Sequence, residues 1–445
     1  MLAELDGLLE RAAARGATGA EAYAEQGTTT RVKVFEQEVE QLTQARRKGV
    51  GLRVLRDGST GYAFSTDLAP AALDAVADRA LANAAVTDPD EHSVLPEAQS
   101  PPALDVFDPR LATSGEDDKI ELALSVERAA LDEDPRVKLV EDTVYADGDI
   151  EVFIASSTGV RGSFRENHCY VFAYVLAEED ERVETGLSFS VGRSLAALEP
   201  RSCGAEAAQR ACRLLGATKC RSMKATVVLD PFVAASFVSV LSSALTAEAV
   251  QKGRSLFAPL LGEVVAGAGV ELADDGLHPD GLASAPFDAE GVPCRRTEVI
   301  AAGALASFLH NTYTAHKAGC ASTGNATRAS YHGSPGVGPT NLVVAGAATP
   351  LADIVGGIER GVLVTNAVGV HSGANPISGQ FSVGINGVLI ESGRLAAPVR
   401  EVTLAGDIVA MLQGIVALGD DARWIPQGSV LTPSIVIEGM SIAGT

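Results

Sequence analysis

The order in which helical and strand-like patterns follow one another constrains this chain more than any single motif. LAELDGLLERAAA repeats apolar residues at helical spacing, and AEAYAEQ and TRVKVFEQEVEQLTQA then alternate apolar and polar residues as half-buried strands do. GVGLRVLRDGSTGYAFS reads as two strands around a hairpin turn at Asp57-Gly58. Pro70 opens a second helix, PAALDAVADRALANAAV, because its fixed φ suits a first helical turn. After an aperiodic Pro- and Ser-rich linker, SVLPEAQSPPALDVFDPR, the order returns. It runs through the helix DDKIELALSVERAAL, the strands VKLVEDTVYADGD, IEVFIASST, SFRENHCYVFAYVLAEE and ETGLSFSVG, and the helix CGAEAAQRACRLLGA. Residue-level self-similarity does not accompany the repetition, so an internal duplication rests on order alone.

From Ala225 onward the chain is rich in Gly, Val, Thr and Asn, and short strands with tight turns are expected, as at Glu391 to Arg394 in GVLIESGRLAAPV. The helices PLADIVGGIERG and AGDIVAMLQGIVALG interrupt it, and FVSVLSSALTAEAV, Phe237 to Val250, predicts a helix near its start. Helical and strand runs are segregated, which favours an α+β fold over a doubly wound sheet. The expected domains are an N-terminal α+β domain over 1–98, a middle α+β domain over 116–218 and a β-rich C-terminal domain with a few helices over 225–445. A chain of 445 residues exceeds one ordinary core, in keeping with several domains.

Composition removes some functions. A formal net charge of -22 lacks the Lys and Arg clusters that phosphate backbones and anionic membranes require, so neither nucleic acid nor membrane is an expected partner. No apolar run approaches the roughly 18 residues of a membrane span, and the first residues read as an amphipathic helix rather than a signal peptide. Six cysteines are scattered without a CxxC pair, which fits a reducing cytoplasm.

Zinc peptidases need two histidines one helical turn apart and a glutamate to activate water, and neither HExxH nor HExxxH occurs. His310 and His316 in FLHNTYTAHKAG would share one side of a strand, without a marked third ligand; Cys320 lies close in sequence. The acids Asp288 and Glu290, Asp420 and Asp421, and Asp274-Asp275-Gly276 read most simply as turns. CASTGNATRASYHGSPGVG, Cys320 to Gly338, is not a P-loop; its backbone N–H groups and one Arg could hold a carboxylate or a peptide backbone, or form a buried connection.

The blocks FDAEGVPCRRTEVIAAGALASFLHNTYTAHKAG, STGNATR, GVHSGANPISGQFSVGINGVLIESGRLAAPVREVTLAGDIVAMLQGIVALGDD and GSVLTPSIVIEGMSIAG resemble the TldD/PmbA family. The resemblance is strongest from Ala225 to the end. It implies two kinds of subunit: TldD-type chains with HExxxH and a late Cys for zinc, and PmbA (TldE) chains without them, paired as a heterodimeric metalloprotease acting on small or unfolded peptides. Some pairs mature peptide-derived natural products. Counted from VVLDP, the motif falls at SVLSSA, with Ser239 and Ala244 near the histidine positions and Val240 near the glutamate. Cys320 is the last Cys, so the late ligand is missing too. The resemblance therefore implies a PmbA-type subunit with no catalytic or metal residue of its own, the zinc lying on a TldD-like partner. Peptide or partner contacts are expected at Thr323, Gly324, Asn325 and Arg328 and in HSGANPISGQF at His371, Ser378 and Gln380. The alternative is a homodimeric enzyme or peptide-binding protein with a repurposed, zinc-free cleft using Cys320, His316 or His371 in natural-product tailoring. An older family label, modulator of DNA gyrase, finds no support in the net charge.

Overall fold

A computed structural model describes residues 1–426 and 429–445. Gly428, the first residue of the block GSVLTPSIVIEGMSIAG, lies outside the described residues. The fold is α+β, with helices and strands first and a mostly β region last. One antiparallel sheet unites the first two regions. Its strands are β1 (Gly19–Phe35), β2 (Glu38–Arg56), β3 (Ser59–Ser65), β4 (Val137–Ser156), β5 (Arg161–Glu179) and β6 (Arg182–Gly192). Their order is β3-β2-β1-β4-β5-β6, so each region contributes a three-strand meander, and the two meet at β1 and β4. The helices α1 (Leu2–Ala14) and α2 (Pro70–Ala84) flank the first meander. After the single turn α3 (Pro109–Ala112), the helices α4 (Glu116–Glu133) and α5 (Pro200–Leu214) flank the second. The repeated order seen in the sequence thus becomes two similar halves of one sheet.

The helices bury one stripe each. Leu5, Leu8 and Ala12 of α1 pack with Val50, Leu52 and Val54 of β2, while Val126 and Ala130 of α4 and Ala207 and Ala211 of α5 cover Val171, Ala173 and Val175 of β5. Gly204 lets α5 meet α4 closely, since a Cβ there would stand 2.2 Å from Val126 O. The hairpin turns at Asp57-Gly58 and Ser392-Gly393 have positive φ at both central residues, as two-residue hairpins prefer.

The strands are longer than the sequence patterns suggest. VKLVEDTVYADGD and IEVFIAS, all but the end of the second pattern, form the single strand β4 of 20 residues. Asp147, Gly148 and Asp149 look like a turn but run on in register opposite Thr30, Thr29 and Thr28 of β1. The β1–β2 turn uses Glu36 and Gln37 at φ 52° and 59°. There the Glu127 carboxylate of α4 accepts hydrogen bonds from both backbone N–H groups, at 2.9 and 2.8 Å.

The third region begins with β7 (Met223–Leu229), followed by α6 (Pro231–Ser242) and α7 (Ala247–Gln251). β7 pairs with the strand Arg360–Val368 on one side and with Ile435–Ala443 on the other. Gln380–Glu391 and Arg394–Asp407 complete a closed ring of five strands. A second sheet carries Glu271–Asp275, Arg296–Ala301 and Leu342–Ala345. The largest hydrophobic core lies inside this region, around Val227, Val240, Leu305, Val362 and Leu404. Arg53 of β2 joins it to the first region: Nη2 stands 2.7 Å from Glu21 and 2.9 Å from Glu290, both fully buried.

Candidate functional site

α6 starts ahead of the expected Phe237: Asp230 Oδ1 accepts from Val233 N at 2.9 Å, and Pro231 fills the first turn. The helix does not run on to Val250. It ends at Ser242, followed by a 3-10 turn over Ser243–Leu245 and the short α7. The hydroxyls of Ser242 and Ser243 turn back to the carbonyls of Ser239 and Val240. Thr246 is extended, and its hydroxyl accepts from Ala249 N to start α7. Side-chain bonds to local backbone thus break a stretch that periodicity alone would continue.

This break sorts the three residues that the resemblance sets against the zinc motif. Val240 is 9% exposed and Ala244 fully buried, both within the large core. Ser239 instead faces a cavity of about 390 Å³ between the third region and the middle one. Tyr174, Leu187 and Phe189 of the sheet, Leu214 of α5 and Phe232 of α6 make an apolar wall. The polar wall is Arg210, Ser236, Ser239, Thr365, Asn366 and His371.

The Arg210 charge of the cavity wall is already matched, as is that of Arg423, which lies outside the lining. Arg210 Nη2 donates to Thr365 O at 2.6 Å and stands 2.6 Å from Asp230 Oδ2. Burial pushes the Asp230 carboxyl above its ordinary range, and the neighbouring Arg210 charge offsets part of that cost. Arg423 donates to Glu206 at 2.8 and 3.0 Å. Both guanidinium groups lie over the Phe232 ring, 4.4 and 4.8 Å from its centroid. Thr365 Oγ1, at a residue 6% exposed, has no hydrogen-bond partner among the described residues.

The structure separates the two groups of residues expected to contact peptide or partner. Thr323 bonds to Asn325 Oδ1 and to His310 N, and Asn325 donates to Asp274 Oδ2 at 2.6 Å. Gly324 has φ 78°, and a Cβ there would stand 2.6 Å from Pro293 O. Arg328 is an ion-pair partner of Glu21 and lies over the Tyr23 ring. These four residues pack the third region against itself and against the first. His371 lies in the short helix Val370–Gly373 at the cavity rim. Ser378 and Gln380 are exposed beside it in sequence; Ser378 N donates to Asn375 Oδ1, and Gln380 Nε2 to Asp407 at 3.1 Å. Ser239 and His371 are therefore the pair brought to one cavity.

FLHNTYTAHKAG is a loop and helix, not a strand: an Asn311–Thr314 capping box starts the helix Thr312–Ala318. Its histidines part ways. His316 Nδ1 meets His92 Nδ1 at 3.2 Å, whereas His310 is 3.9 Å from Cys320 Sγ. Burial holds the His310 imidazole below its ordinary pKa. None of His310, His316 and Cys320 lines the cavity with His371. Asp288 accepts from Glu290 N, Val292 N and Ala326 N, and Glu290 accepts from Thr312 N. Burial pushes Asp274 up to about 6, and raises Asp288 as well, with Glu290's charge adding to the latter. Arg210, Thr365 and Phe232 escaped the sequence reading, because nothing local marks residues from three elements as neighbours.

A sheet of two like halves, closed over a β ring with an interregional cavity, defines a three-part α+β protein. Three consecutive domains of the PmbA/TldA metallopeptidases match it: domain 1 over 20–84, the central domain over 109–215 and the C-terminal domain over 222–444. The chain belongs to the PmbA/TldD metallopeptidase family. It is 30% identical to the metalloprotease PmbA of Escherichia coli O157:H7 over 430 residues, covering 95% of this chain and 92% of that one. A crystal structure from Thermotoga maritima MSB8, given as a candidate modulator of a DNA gyrase, superposes with TM-score 0.92 at 27% identity over 99% of both chains. TldE of Thermococcus kodakarensis shares the fold, with TM-score 0.92 at 23% identity over 99% of this chain and 100% of that one.

Metallopeptidase relatives imply zinc, but the residues here do not fit it. Ser239, Val240 and Ala244 supply one hydroxyl and two alkyl groups, and the latter two are committed to the core. Among the described residues, no group of three or more His, Cys, Asp or Glu is placed to hold a metal ion.

Proposed function

We propose that this chain is the noncatalytic, PmbA-type subunit of a zinc metallopeptidase. It pairs with a TldD-like chain that carries the zinc, and together they process small or unfolded peptides or a peptide-derived natural product in the cytoplasm. The observation that carries the reading is the fate of the motif helix. Its glutamate and second histidine positions are filled by Val240 and Ala244 and built into the core, while Ser239 opens on a cavity. Metal chemistry at this place would require rebuilding the core, whereas holding a peptide does not. Family membership supports the metallopeptidase setting. The chain's own contribution is then assembly and the shaping of a peptide cleft, with backbone edges open to an extended peptide.

The test is zinc content and peptide cleavage for this chain alone and mixed with a TldD-like chain from the same genome. Stoichiometric zinc and cleavage only in the mixture are expected. Zinc or cleavage in the purified chain alone overturns the reading.

A further inference from the structure

β2 is longer than its outer neighbour. β3 pairs with it only over Val50–Arg56, where Ser65 stands opposite Val50. The remaining stretch, Glu38 to Lys48, is held by β1 on one side, and among the described residues nothing pairs with its other edge. All eleven of its residues are exposed. Successive side chains point to opposite faces, so both faces of this stretch are open. Val39 and Leu42 are 42% and 39% exposed. A long open edge that carries apolar residues is a template for another strand.

The charges along this edge are ordered. The acids Glu38 and Glu40 lie at one end, and the bases Arg46, Arg47 and Lys48 at the other. Glu40 meets Lys33 of β1 at 2.9 Å, and Arg47 stands 3.6 Å from Glu25. Glu38, Arg46 and Lys48 form no ion pair among the described residues. The free stretch is bounded by the Glu36-Gln37 turn at one end and by the β3 rung at Val50 at the other. A second copy laid antiparallel over the whole stretch therefore has its two-fold axis at Thr43. In that register Glu38 stands opposite the second copy's Lys48, and Glu40 opposite the second copy's Arg46. The two-fold axis repeats both pairs. Four opposite-charge pairs thus share one face, with the two Leu42 side chains diagonal to each other across the axis. Length and charge select the same register independently. Parallel pairing in register sets Glu38 against Glu38 and Lys48 against Lys48, which is unfavourable.

We propose that the Glu38–Lys48 edge of β2 is a self-association surface, pairing with the same edge of a second copy to join the two six-stranded sheets into one. An antiparallel run of this length supplies about ten backbone hydrogen bonds, as many as an ordinary protein interface carries. This association goes beyond the pairing with a TldD-like chain proposed above and does not depend on it.

The test is analytical ultracentrifugation of the full chain and of two surface variants. The wild-type chain should be a dimer at micromolar concentration. Glu38→Lys with Glu40→Arg makes the four charges of the pairing face all basic, and Arg46→Glu with Lys48→Glu makes them all acidic. Each variant alone should raise the dimer dissociation constant about tenfold or more. Their equimolar mixture, in which every cross-strand pair is again of opposite sign, should recover the wild-type tightness. Damage to the fold cannot produce that recovery. On the wild-type chain, carbodiimide coupling of carboxylates to amines should join Glu38 to Lys48. Within one chain these residues are ten apart on a strand, about 33 Å, so such a link joins two copies. A monomeric wild-type chain, variants that dimerise like wild type, a mixture that stays dissociated, or links between copies at other residues alone overturn the proposal. Zinc and cleavage in the mixed complex are read separately, so the two readings fail separately.

Discussion

Arg53 shows how one residue holds two regions together. Its guanidinium stands between Glu21 of β1 and Glu290 of the third region, and Arg328 meets Glu21 from the other side. Removing one member leaves a buried charge with reduced compensation. Arg53→Met should therefore cost about 3–5 kcal/mol in chemical denaturation. Adding Glu290→Gln should recover part of that loss, because the stranded charge disappears. Arg328 was singled out in the sequence as a peptide- or partner-contacting cation in a Gly-rich loop, and in the structure it pairs with Glu21, 307 residues away. No local pattern carries such a pairing. His371 and Ser239 were both named from the sequence, and both line the cavity. The aromatic wall was not, since Phe189, Leu214 and Phe232 each read as ordinary core residues of separate elements.

At the scale of elements, α6 and the β1–β2 hairpin carry opposite lessons. α6 was legible as a helix but at neither boundary: it starts at Asp230-Pro231, ahead of the expected Phe237, and ends where serine and threonine hydroxyls redirect the backbone. Restoring HExxxH by Ser239→His, Val240→Glu and Ala244→His should not create a zinc site. Val240→Glu places a carboxylate in the core, and the triple variant should lose about 3–5 kcal/mol, with no stoichiometric zinc by elemental analysis. The hairpin turn has neither Gly nor Asn, so its sequence hides it. Glu127, buried on α4, holds it instead. Glu127→Ala should cost about 1.5–3 kcal/mol for the charged hydrogen bonds lost, with faster amide exchange at Glu36 and Gln37. Strand lengths were underestimated for a related reason: the Asp147-Gly148-Asp149 stretch has turn composition, but pairing on both sides keeps it extended.

Over the whole molecule, buried acids set a pH dependence. Asp274 is raised to about 6, and Asp288, Asp230 and Glu25 are raised too, each chiefly by burial. An acid whose folded pKa exceeds its unfolded value binds more protons in the folded state, so stability increases as pH falls through the folded pKa. His310, held down by burial, opposes this as a single group. The thermal midpoint should therefore be higher at pH 5 than at pH 8, by calorimetry in matched salt. A flat or inverted profile would show that these carboxyls ionise normally in the fold. The arrangement of helices and strands was legible as a repeated order, and the sheet makes that order physical by joining two meanders at β1 and β4. The closed strand ring was not legible, because its first and last strands are separated by the whole third region.

That closure has a consequence for the chain's history. β7 opens the third region, Ile435–Ala443 ends it, and the two are hydrogen-bonded neighbours; Thr445 N reaches Cys220 O at 2.9 Å. A unit whose two ends are stitched side by side can be cut out, moved or joined to new flanking sequence at one spot, without tearing its interior. The cavity beside Ser239, by contrast, takes walls from both sides of that seam. Recombination at the seam would keep a folded ring and exchange the wall supplied by Tyr174, Leu187, Phe189 and Leu214, so lineages could reshape the cavity by swapping modules rather than by point substitution.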